Sequence, residues 1–207
     1  MRSQSDLSFS SSLSTRLIKH EIEAPLIWKL KNNLHPRFWI NFLTWHMARW
    51  FSKATNVLTF TGSLSAVLIT ENGRQRVNYG KVAYGLVTTA FAQFMVDQLQ
   101  AETSVWGDFK FHDSGVGTTA AAISDTDIET TDGESRVTGS QTEGATADIY
   151  KSVGTITYTT SKAITEHGLF SIVTAGTLMD RHVFAAINVV NTDSIEFTYE
   201  LTVNDGG

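Results

Sequence analysis

The chain has 207 residues, no cysteine and a formal net charge of −5. That length holds one sizeable domain, or one domain with an arm. The missing cysteine excludes a disulfide framework, a thiolate metal site and a thiol nucleophile. No apolar run long enough to span a bilayer occurs, and the first ten residues lack the apolar core of a secretory signal. Charged residues make up 18% of the chain, against about a quarter in ordinary domains. Thr and Ser fill the gap, which suits a protein packed against neighbours.

The charge is divided unevenly. Residues 1–53 carry eight Lys/Arg against three Asp/Glu, and residues 54–207 carry eight against eighteen. A basic arm on an acidic body predicts contact between the arm and an acidic surface, such as that of another subunit. The plainer alternative is that imbalances of this size carry no meaning.

Residues 3–15 are Ser-rich and have too little apolar content to fold alone. Residues 16–53 contain four of the five tryptophans, Trp28, Trp39, Trp45 and Trp50, together with Phe38, Phe42 and Phe51. Pro25 and Pro36 are the only prolines and predict helix boundaries. Beyond Pro36, Trp39, Phe42/Leu43, Met47 and Trp50 recur at helical spacing, giving an amphipathic, aromatic, mildly basic helix. It reads as a core helix, a docking arm for another chain or a membrane-surface helix. The docking reading leads, because interface cores are rich in aromatics. Its predicted contact residues are Trp28, Trp39, Phe42, Trp45 and Trp50.

The body, residues 54–207, reads as β-rich. Val57–Ile69 and Val77–Leu86 predict a hairpin closed by Glu71-Asn72-Gly73, with Gly80 and Gly85 as bulge positions. Thr88 or Thr89 caps a helix to about residue 100, with Phe91, Phe94/Met95 and Leu99 on one face. Residues 105–112 alternate as a strand. Residues 113–147 read as a long surface loop with short structured pieces near 123–130 and 136–140. Residues 149–203 form one continuous β-unit. In its last run Ile195, Phe197, Tyr199, Leu201 and Val203 share one face, the period of a half-buried strand. The predicted fold is mainly β, an antiparallel sandwich or jelly-roll-like body, with one covering helix and an N-terminal helical arm.

Chemistry-bearing constellations are sparse. His112-Asp113-Ser114 holds the residue types of a hydrolase triad, but consecutive residues cannot converge as a triad must. Gly115-Val-Gly117-Thr-Thr lacks a phosphate-binding lysine and reads as a turn that needs positive φ. His112, His167 and His182, with Asp113, Glu166 and Asp180, include metal-capable groups, but without ligand spacing. They read instead as strand histidines bonded to a nearby carbonyl or carboxylate. Glu166 and Arg181 sit on adjacent predicted strands, where a cross-strand ion pair would fix register across the Ala175-Gly176 turn; Asp180 is an alternative partner. The acidic body argues against nucleic acid as a partner.

Phe111–Ala120, Arg136–Ser140, Ala163–Phe170, Leu178–Phe184 and Asp193–Leu201 form an ordered series. It resembles series in structural proteins of tailed bacteriophages. The segment Ala163-Ile-Thr-Glu-His-Gly-Leu-Phe170 also resembles attachment domains of phage tail fibres. The resemblance covers residues 108–207 and, weakly, 57–100; it does not reach the arm. It implies a location in the virion and supplies no catalytic residues. The resulting expectation is a non-enzymatic virion protein without cofactor, whose partners are capsid or tail proteins and copies of itself, not nucleic acid or membrane. Capsid decoration is slightly favoured over a tail or baseplate site. A host glycan module is the alternative, with Trp106, Asp113 and Asn191 at loop tips; a depolymerase would need two carboxylates facing across a cleft.

Overall fold

A computed structural model describes residues 20–55, 57–70, 73–100 and 108–204. The Ser-rich tail, part of the hairpin turn and residues 105–107 of the strand expected at 105–112 lie outside the described residues, and the strand observed there begins only at Phe111. The described residues are mainly β, with three helices. In order these are β1 (His20–Glu23), α1 (Leu26–Leu34), α2 (Pro36–Thr55), β2 (Thr59–Thr70), β3 (Gln75–Val87), α3 (Thr89–Gln100), β4 (Phe111–Gly115), β5 (Val137–Thr138), β6 (Ser140–Glu143), β7 (Ile149–Thr157), β8 (Lys162–Phe170), β9 (Leu178–Val189) and β10 (Ser194–Asn204).

β10 is the strand around which the core is laid. Ile195, Phe197, Tyr199 and Leu201 are buried, while Glu196, Thr198 and Glu200 on the other face are only partly covered. It pairs antiparallel with β2 on one side and β7 on the other, so Phe197 lies between Ala66 and Gly154, and Tyr199 between Leu64 and Ser152. The strand order is β5-β4-β8-β9-β3-β2-β10-β7-β6. Its two ends, β5 and β6, are consecutive in the chain: residues 137–138 pair with β4 and residues 140–143 with β7. The ordered strands therefore return on themselves around one interior. Every pairing on this path is antiparallel, but β1 lies parallel to β3, a departure from the wholly antiparallel expectation.

The bulges fall beside Gly80, as the β2–β3 register shifts show. Gly80 has φ +66°, which glycine adopts without the Cβ penalty. Gly85 is not a bulge. It faces Asp180 and His182, whose side-chain atoms would lie 2.3–2.4 Å from any Cβ placed there.

β3 separates from β9 along most of its length; the two pair only at Leu86–Arg181 and Val87–Asp180. An open edge leaves backbone groups without partners, and buried groups of this kind cost stability. The N-terminal segment fills the opening. β1 lies beside Gln75–Asn78, and the Ala24 N–H donates to the Asn78 carbonyl. Asn32 of α1 is buried; its amide donates to the Val82 carbonyl at 2.9 Å and accepts from the Ala185 N–H at 2.9 Å. Asn41 of α2 donates to the Tyr84 carbonyl. Ser52, fully buried, lies within hydrogen-bonding distance of the Val57 and Asn204 carbonyls. The division at residue 53 thus falls inside α2, and the part of the arm from β1 through α2 is seated on its own body. Asn32→Leu strands a buried carbonyl and a partly buried N–H, so it is expected to cost about 2–4 kcal/mol. A urea midpoint unchanged from the parent would contradict this role.

α3 follows the expected cap: Thr88 Oγ accepts from the Phe91 N–H at 3.1 Å. Phe91 and Phe94 both pack edge-on against Phe109, at 5.0 and 4.8 Å. Leu99 departs from the expected face and is 82% exposed.

Candidate functional site

The five aromatic residues expected at a docking face divide into two sets. Trp28 belongs to its own body: its indole N–H donates to the Ala185 and Ala186 carbonyls, and its ring meets Tyr79 edge-on. Phe42 and Trp45 pack on Tyr84 of β3, with centroids 5.3 and 5.4 Å away. Arg49 lies over the Trp45 ring. Trp39 and Trp50, by contrast, are 49% and 70% exposed. They stand on α2 with exposed Ile40, Leu43, Met47 and Phe51, while α1 exposes Leu26, Ile27, Leu30 and Leu34. α2 is therefore apolar on both faces: Phe38, Phe42 and Trp45 turn inward, and a second stripe turns to solvent. A helix with two apolar stripes needs both covered to leave water, and here the described residues cover only the inner one. Over residues 26–55 the chain carries Lys29, Lys31, Arg37, Arg49 and Lys53 and no acidic residue. Beneath the junction of α1 and α2 lies a cavity of about 400 Å³, bordered by Phe38, Asn41, Tyr84 and Phe184.

Glu166 and Arg181 face each other on β8 and β9. Gly168 opposes Arg181 and Val183 opposes Glu166, so the pair is diagonal. The guanidinium lies 2.8 Å from the Glu166 carboxylate, and both side chains are buried. Glu166 also accepts the backbone N–H groups of Gly117, Glu129 and Thr130 at 2.8–2.9 Å. Arg181 reaches Asp125 at 3.0 Å and Glu129 at 3.3 Å. The two residues thereby hold the long 116–130 segment onto the outer face of the sheet. This also explains Gly115 and Gly117. Neither has positive φ, contrary to expectation. A Cβ at either position would press on Glu166, within 2.4–2.6 Å of its carboxylate. Asp180 does not share this duty, because it points to the opposite, interior face.

Arg136 secures the next stretch. It bonds Asp113 at 2.8 Å and Asp127 at 3.2 Å, and stacks over Phe170 at 3.3 Å. Burial nonetheless raises the Asp113 carboxyl above its ordinary pKa, the arginine opposing that shift. Asp113 is thus buried and engaged, not a loop-tip group open to sugar; Asn191 is exposed at its turn, and Trp106 lies outside the described residues.

The interior carries a polar seam. His112, His167 and His182 are all buried, and His167 opposes His182 directly across β8 and β9. His112 Nδ1 lies 3.0 Å from His167 Nε2, and its Nε2 lies 2.9 Å from Ser152 Oγ. The expected carbonyl or carboxylate partners of His112 are replaced by an imidazole and a hydroxyl. His182 stands beside Tyr199, whose hydroxyl donates to Asp180 at 3.2 Å. Neither ring nitrogen of His182 is hydrogen bonded. Burial pushes His112 and His182 down to about 3, and puts His167 well below its ordinary value. All three are neutral at pH 7. Gly154 and Gly139 make room for His112, since a Cβ on either would lie within 2.8 Å of its ring. Among the described residues no cluster of three His, Asp or Glu side chains could hold a metal ion, and no helix is long and apolar enough to cross a membrane.

No family model, no curated protein and no solved structure matches the chain.

Proposed function

We propose that this chain is a non-enzymatic structural protein of a tailed-phage virion. It docks on the capsid or tail through its N-terminal helices, with capsid decoration favoured over a tail or baseplate site. The observation that carries the assembly reading is the outward apolar stripe of α1 and α2. Exposed apolar patches of this extent mark interaction surfaces. The setting in a virion is supported by the ordered series over residues 108–207 described above. The finer fold reading, an antiparallel sandwich or jelly-roll-like body, is supported by the returning strand order and by the single interior between β10 and β8.

The docking unit in this reading is the outward face alone. Trp39, Met47 and Trp50 are its anchors, as large side chains are at interface hot spots, while Trp28, Phe42 and Trp45 hold the helices in place. Antibody labelling of purified particles tests the proposal. Label at many lattice points of the shell fits decoration, and label around one axis fits a tail site. Particles free of the chain would overturn it.

A further inference from the structure

The solvent-facing seam of α2 runs Ile40, Leu43, Met47, Trp50, with intervals of three, four and three residues. All four are more than half exposed. That alternation is the spacing at which one helix packs knobs into the holes of another. With Trp39 and Phe51 at its flanks, the stripe presents on the order of 600–800 Å². One partner's share of a standard interface is about 800 Å². Among the described residues none covers it, and the opposite side of α2 lies on β2 and β3.

We propose that the occupant is the same seam of a second copy, packed antiparallel across a two-fold axis near the middle of α2. This rests on reading the face as an assembly interface, and it names the partner. It makes Trp39, Met47 and Trp50 anchors between copies of the docking protein, and leaves the exposed α1 residues Leu26, Ile27, Leu30 and Leu34 to meet the capsid or tail chain. A two-fold contact requires a self-complementary patch, and a stripe apolar from end to end meets that requirement. The helix dipoles set the direction: they oppose one another when the two copies of α2 run antiparallel. Ile40 then faces Trp50 of the partner copy, and Leu43 faces its Met47.

The absence of native cysteine makes the test clean. Sedimentation equilibrium of the full chain at micromolar concentration should give a dimer that persists or tightens as salt rises. Leu43→Glu should weaken it about 100-fold, with an unchanged circular dichroism spectrum, because Leu43 already faces solvent. Ile40→Cys and Trp50→Cys should each resist self-linkage under mild oxidation, yet link to one another when mixed. A monomer throughout, a dimer indifferent to Leu43→Glu, or self-linkage of Ile40→Cys alone would overturn the inference. So would association that salt dissolves, which points to the acidic body as partner. Binding of a monomer to phosphatidylcholine–phosphatidylglycerol vesicles through this face would also overturn it. A monomer that enters particles, and whose Leu43→Glu form does not, removes self-pairing but leaves the assembly reading. A salt-resistant dimer absent from every particle upholds the pairing and removes the assembly reading.

Discussion

Replacing Glu166 with alanine is expected to lower stability by about 3–5 kcal/mol, the cost of leaving one member of a buried ion pair uncompensated. The direction follows from what the carboxylate holds. It faces Arg181 and accepts three backbone N–H groups from the 116–130 segment. Without it the guanidinium keeps Asp125 and Glu129, but those lie on the segment that has just lost its anchor. Two readouts should therefore move together: the urea midpoint falls, and protease cleavage appears first within residues 116–130. Replacing both partners with methionine should recover part of the loss, since no isolated charge remains. The three backbone N–H groups stay unpaired, so recovery stays incomplete. Full recovery would show that the carboxylate serves only Arg181. An unchanged midpoint for Glu166→Ala would remove the clamp altogether.

Acid should unfold this protein early and steeply. In the unfolded chain a histidine binds its proton as pH falls through about 6.5. In the folded protein His112 and His182 take theirs only near 3, because burial penalises the charged ring. Between those values the unfolded state holds more protons, so stability rises with pH and falls on acidification. The slope is about 1.4 kcal/mol per pH unit for each histidine. At pH 5 each has removed about 2 kcal/mol, and His167 acts in the same direction. Two of them alone therefore consume a large part of a typical domain's stability by pH 5. Glu134 adds a later step. Lys162, then Thr159, hold its carboxyl down to about 2, so what that contact contributes is lost only as pH drops below the ordinary carboxylate range. Urea denaturation between pH 7.5 and 4.5 reads the effect. A midpoint flat over that range would mean that the seam is hydrated or already charged.

What was legible in the sequence was local. β10 declares itself because its alternation needs no knowledge of its neighbours, and the cap can be placed at Thr88 or Thr89 from the residues just after it. Glu166 and Arg181 could be placed on facing strands because one short turn joins those strands. Other features depend on distant chain. Nothing in residues 26–41 says that Asn32 and Asn41 will complete the edge of β3, some forty to fifty positions on. The aromatic wealth of α2 was plain, but not its division. Period alone cannot tell which of two apolar faces meets the body, so in the sequence Trp39 and Trp50 fall in one set with Phe42 and Trp45. Gly115 and Gly117 suggested a turn, while their actual reason, the carboxylate of Glu166, lies about fifty residues away. Sequence could place His112, His167 and His182 on different strands able to converge, but not the direct imidazole-to-imidazole contact of the interior seam. His112 and His167 meet only because β4 pairs with β8.

Hydroxyl-radical footprinting of Trp39, Met47 and Trp50 bears most directly on the claim that the outward face of α2 is built to be covered. The comparison is between the free chain, diluted until it is monomeric, and the chain in purified particles. We predict strong oxidation of all three in the dilute chain and protection of all three in the particle, with Phe42 and Trp45 shielded in both. Equal oxidation in the two states would contradict it, as would a dilute chain in which Trp50 is already protected.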